Sequence, residues 1–211
     1  RRFERVEADC VASYIHGGGR IGVLVAANGA TDDAAKEALT NIARQVAAMN
    51  PQYINRGDMS ESVLAKEKEI VIDSALNDPA SLPKPILNAV LQEAIASDKW
   101  TAEDKATYEE QKSNKLLFNF LSPDAVQALR DIAASHKAEY LDNKIFAGLV
   151  DGRFSKHLKE ICLLDQVYVR AEDGKQSVDA YLKSVASDLK IGGFVRFETG
   201  EGLEKKNEDF A

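Results

Sequence analysis

Apolar and polar positions alternate in two short runs near the N-terminus. In the first, Val11, Ser13 and Ile15 alternate with Ala12, Tyr14 and His16; the second, Arg20 to Ala27, carries the β-branched residues Ile21, Val23 and Val25. A period of two predicts half-buried strands. Gly17-Gly18-Gly19 between them predicts a β-hairpin, because a short reversal needs residues that adopt φ > 0. A lone hairpin is marginal in water, so a third strand or a helical cover must follow. The period then lengthens. Ala35, Leu39, Ile42, Val46 and Met49 form one stripe of a helix that starts near Thr31, with Asp32 and Asp33 in its first turn and Asn50-Pro51 as its stop.

A second helix is predicted after a Ser60 cap. Val63, Ile70 and Leu76 form its sparse apolar face, and Lys66, Glu67, Lys68 and Glu69 face solvent. So narrow a stripe suits a two-helix seam. Asn77 to Pro85 breaks it. Three helical segments follow: Ile86 to Ala96, Ala102 to Leu121, and one begun by Ser122-Pro123 with serine at the cap and proline at the first turn. Trp100 and Tyr108 are docking aromatics for this bundle. A return helix from Asp142 carries Ile145, Phe146, Leu149, Phe154, Leu158 and Ile161. A last helix spans Val178 to Leu189, and Gly192-Gly193 turns the chain into a closing strand with Phe194, Val195 and Phe197. The charged tail GEGLEKKNEDFA is expected to fray unless Phe210 docks. The expected fold class is α+β: a three-stranded antiparallel sheet covered by helices on one face, with an inserted antiparallel helical hairpin carrying extra helices. Residues 1–59 and 164–211 form the core, residues 60–163 the arm, and about 77–141 its inserted tip.

Composition narrows the function. The chain has 211 residues, 45% of them hydrophobic, and a net charge of -7. An acidic balance argues against nucleic acid as the main partner. No apolar run is long enough for a membrane span. RRFERVEADC has neither a starting methionine nor the apolar core of a signal peptide, so a fragment or a processed product is expected. Cys10 and Cys162 read as reduced thiols of a cytoplasmic protein. His16, His136 and His157 lack metal-ligand spacing, and neither a metal nor a cofactor is expected. His16-Gly17-Gly18-Gly19 has the form of an esterase oxyanion loop, but the GxSxG elbow that chemistry needs is missing. Neither phosphate-binding glycine motif is present, and a strand rather than a helix follows Gly19, so direct nucleotide binding is not expected.

The run HGGGRIGVLVAANG resembles the C-terminal core of bacterial elongation factor Ts, the nucleotide-exchange partner of elongation factor Tu. ICLLDQVYV is similar to that family's Leu-X-Gln-Pro-Phe-Val segment, with Val167 in place of proline. VDGRFSKHLKEICLLDQ resembles the Val-Glu-Gly-Arg stretch of its return arm, and GFVRFETGEGLEK its closing strand. By residue chemistry alone, His16 is an exposed histidine at a strand end. The resemblance implies instead that Tyr14, His16, Gly17, Val169 and Arg170 contact elongation factor Tu. It further implies an exchange factor that acts by binding and makes or breaks no bond. A homodimer is the alternative that exposed strand edges allow. Thr31-Asp32 is not the family's Thr-Asp-Phe-Val motif, since Asp33 stands where phenylalanine belongs. That motif is expected upstream of Arg1, so binding with little exchange is expected. Residues 77–141 depart from the family pattern.

Overall fold

The computed structural model describes residues 2–203. The fold is α+β, and the described residues form two compact units. Ser60–His157 is one; the residues up to Met59 and from Leu158 form the other. The anchor expected at Phe210 lies outside the described residues.

In the first unit β1 (Cys10–His16), β2 (Ile21–Asn28) and β3 (Lys190–Glu198) form an antiparallel sheet with β2 in the centre. Gly17 and Gly18 take φ of 60° and 65°, and the Gly19 N–H donates to the His16 carbonyl at 3.3 Å. With Gly19 at φ 96°, three successive residues of the four-residue loop take positive φ, a conformation that glycine adopts without strain. Tyr14 lies opposite Val23, which lies opposite Arg196 on the other side. Side chains alternate along each strand, so Tyr14, His16 and Arg196 share a face. Gly192 and Gly193 do not turn the chain into β3 but lie within it, at a register shift opposite Ala26 and Ala27. A bulge there bends the strand, which glycine tolerates.

That face is covered by α1 (Asp33–Met49). Asp32 caps this helix from outside its first turn, its carboxylate accepting the Ala35 N–H at 3.0 Å. Ala35, Leu39, Ile42 and Val46 are fully buried. Met49, expected on the same stripe, is exposed; it is the last residue of the helix, which Asn50 closes in the left-handed conformation (φ 46°). Between α1 and the sheet lies a core that includes Val23, Val25, Ala43, Leu163, Val178 and Leu182. The last helix, α8 (Val178–Val185), is shorter than its apolar spacing predicts. Leu189 remains buried because a tight turn, with its N–H on the Ala186 carbonyl at 3.0 Å, carries it back to the core. Tyr53 and Ile54 do anchor their loop: their carbonyls accept the N–H groups of Leu163 and Leu164.

The second unit is helical. It holds α2 (Glu61–Leu76), α3 (Lys84–Ala96), α4 (Ala102–Gln111), α5 (Pro123–Ser135), the short α6 (Lys137–Leu141) and most of α7 (Lys144–Ile161). On α2 the buried residues are Val71, Ile72, Ala75 and Leu76, whereas Ile70 is half exposed. The run Ile70-Val71-Ile72 admits two phases of an apolar stripe, and packing selects the other one. Glu67 is not solvated as expected; its carboxylate meets His157 Nε2 at 2.7 Å. The helix expected to reach Leu121 ends at Gln111. Beyond that end the Asn114 side-chain oxygen accepts the Leu116 N–H at 2.9 Å and closes a local turn. Leu116 and Phe120 are consequently exposed, while Leu117 and Leu121 are buried. Trp100 docks as expected, with its indole N–H on the Ala125 carbonyl at 3.0 Å and the Tyr108 ring 5.9 Å away.

Candidate interaction cleft

Three elements of the first unit converge on a cleft of about 480 Å³. The sheet contributes Tyr14, His16, Ile21 and Arg196. Helix α1 contributes Arg44, Ala47 and Ala48, and the connector after α7 contributes Val169 and Arg170. The Tyr14 hydroxyl and His16 Nδ1 are hydrogen-bonded at 3.0 Å. The Arg44 guanidinium lies 5.8 Å from the centre of the Tyr14 ring, within cation–π range.

Two buried amides of α1 set this geometry. Gln45, wholly inaccessible to solvent, donates to the Gln166 side chain at 3.2 Å and to the Val167 carbonyl at 3.0 Å. Its oxygen accepts the Val169 N–H at 2.8 Å. The connector is thereby pinned to the helix by main-chain contacts, which leaves Val169 exposed at the cleft. Asn41, one turn earlier, accepts from Arg44 at 3.0 Å and from Arg170 at 3.2 Å, and donates to the Tyr181 hydroxyl at 2.9 Å. Tyr181 stacks on Tyr168 at 4.1 Å. Burial, with the Tyr181 hydroxyl adding to it, pushes the Tyr168 phenol up to about 12. Arg196 reaches Glu198 at 2.9 Å and the Ala47 carbonyl at 3.4 Å, while its buried Nε has no hydrogen-bond partner among the described residues.

Four of the residues singled out in the sequence, Tyr14, His16, Val169 and Arg170, thus line one cleft. Gly17 is not part of the lining. It sits at the hairpin tip, where a Cβ would meet Arg20 at an ordinary 3.5 Å, so its φ of 60° is what calls for glycine. Arg44, Arg196, Asn41 and Gln45 were not anticipated. A signal for the two amides was present: they lie four residues apart beside the apolar stripe of α1, on positions that prove buried. Elsewhere, Cys162 is fully buried with its sulfur 3.8 Å from that of Met59, and burial pushes its thiol up. Among the described residues no helix is long and apolar enough to cross a membrane.

The fold and the cleft define a class: an α+β core with a helical insertion and a basic, aromatic-edged depression between its sheet and its main helix. The chain belongs to the elongation factor TS family, whose model matches residues 1–201. It is 34% identical over 215 residues to elongation factor Ts of Halothermothrix orenii, covering 100% of this chain and 49% of that relative. It is 34% identical over 218 residues to the Clostridium kluyveri protein of the same name and 33% identical over 215 residues to that of Clostridioides difficile, covering 100% of this chain and 51% of each relative. The chain spans about half the length of these curated relatives.

Proposed function

We propose that this chain is the docking core of a cytoplasmic translation elongation factor that binds elongation factor Tu and promotes release of its GDP. The observation that carries the reading is the convergence of Tyr14, His16, Val169 and Arg170 on one cleft, held by Gln45 and Asn41. Their sequence separation is large, and only the fold unites them. The chain acts by binding alone: it prefers the nucleotide-free form of its partner and so shifts the partner's population toward that form. No acid, base or nucleophile is required of it. The test is the affinity of the chain for nucleotide-free elongation factor Tu, with release of a fluorescent GDP analogue, expected to be slight, as a second readout. Tyr14→Ala and His16→Ala are expected to weaken the complex about tenfold each, or about 1.4 kcal/mol. Wild-type affinity in both variants would refute the assignment of the cleft.

A second reading, self-association, is favoured by the exposed Val11 and Ile15 on the opposite face of edge strand β1. Sedimentation over a wide concentration range tests it, and a monomer at every concentration rejects it.

A further inference from the structure

We propose that the cleft recognises a carboxylate of an acidic, apolar-flanked segment of the partner protein, bound by Arg44 and Arg170 above an apolar floor. This rests on the reading of the cleft as the docking site and names its chemistry. The chain as a whole carries a net charge of -7, yet three arginines border this one depression. Arg44 and Arg170 come from different elements, and both donate to the same Asn41 oxygen. That neutral oxygen accepts from both cations without cancelling either charge. The fold therefore holds two like charges side by side at the cleft, an arrangement that an incoming anion relieves. A planar guanidinium matches a carboxylate with paired, charge-assisted hydrogen bonds. Arg196 also borders the cleft; its charge is met by Glu198 at 2.9 Å, and its buried Nε has no hydrogen-bond partner among the described residues.

The floor decides between anions. Ile21, Ala47, Ala48 and Val169 give it an apolar surface that suits the aliphatic part of an acidic side chain and its neighbour. A nucleic-acid backbone would need a basic track extending well beyond the cleft, and the acidic balance of the chain opposes one. Asn41 is a positioning residue here, since it orients both arginines and is itself buried.

The experiment measures the affinity of the full chain for nucleotide-free elongation factor Tu at about 0.05 M and about 0.3 M salt, between which charge screening changes severalfold. Arg44→Gln and Arg170→Gln alter exposed side chains, so their folding is checked by thermal melts. Each is expected to weaken binding about tenfold at low salt, and the double variant to lose most of the salt dependence. Arg44→Lys and Arg170→Lys keep the charge without the fork and are expected to keep the salt dependence with intermediate affinity. If the wild type binds and the double variant matches it in affinity and salt slope, the carboxylate proposal fails while the docking reading stands. If the wild type does not bind, both fail. Tight binding of a labelled single-stranded RNA that the same substitutions abolish would also overturn the proposal, by making the cleft a phosphate site.

Discussion

At the scale of single residues, Gln45 carries more of the cleft than any residue that lines it. It is buried, and each of its hydrogen bonds ends on the connector. Gln45→Leu keeps the volume but strands the buried Gln166 side-chain oxygen and takes the partner from the part-buried Val167 carbonyl and Val169 N–H. Stranded buried polar groups cost about 1–3 kcal/mol each. The variant is expected to lose about 3 kcal/mol in urea denaturation and to bind elongation factor Tu more weakly. Loss of stability with unchanged binding would show that the connector needs no fixing. Strand alternation put Tyr14 and His16 on one face, but only the family resemblance singled them out as contacts. Val169 and Arg170 were legible only through the family resemblance; nothing local marks an exposed valine as a contact. Arg44 and Arg196 were hidden, since a charged residue on a helix or strand reads as solvated until a neighbouring element is placed over it.

At the scale of elements, the helical unit is fastened by charged groups with opposite responses to pH. Burial alone would raise the Asp104 carboxyl, but hydrogen bonds from Ser122 and Thr101 outweigh it and hold the group below the usual carboxylate value. That carboxylate caps α4 and also accepts the Ser122 hydroxyl at the start of α5. Its stabilisation is present above the unfolded value of about 4 and is lost as pH falls through the folded value. His136 moves the other way. Its hydrogen bond to Glu93 at 2.7 Å raises it, burial opposes, and Glu139 adds to the rise. Its contribution is complete below the unfolded value of about 6.5 and fades as pH climbs through the folded value. Comparing His136→Ala with the wild type in urea should therefore give a larger stability gap near pH 5.5 than near pH 8. An equal gap at both would mean that the pair with Glu93 does not stabilise the fold.

Element boundaries were less legible than element types. Five helix starts were marked by chemistry that can be read directly, with Asp32, Ser60, Thr101, Ser122 and Ser177 accepting first-turn N–H groups. The end of α4 at Gln111 was not, because no glycine or proline announces it, and the turn that follows is closed by the Asn114 side chain. The phase of α2 was only partly legible for a related reason: Leu76 is buried as expected, but among Ile70, Val71 and Ile72 the choice is left to tertiary packing.

At the scale of the whole molecule, the sheet and α1 present a basic cleft on a chain whose net charge is -7. On the proposed reading, the docking core works through linkage. If it prefers nucleotide-free elongation factor Tu, then GDP must weaken its binding by the same factor by which it weakens GDP. Titration calorimetry of the chain with elongation factor Tu, first stripped of nucleotide and then saturated with GDP, measures both ends of that cycle. The account predicts a one-to-one complex with the stripped protein whose affinity drops at least tenfold with GDP bound. No complex with the stripped protein, or one that GDP leaves unchanged, would contradict it.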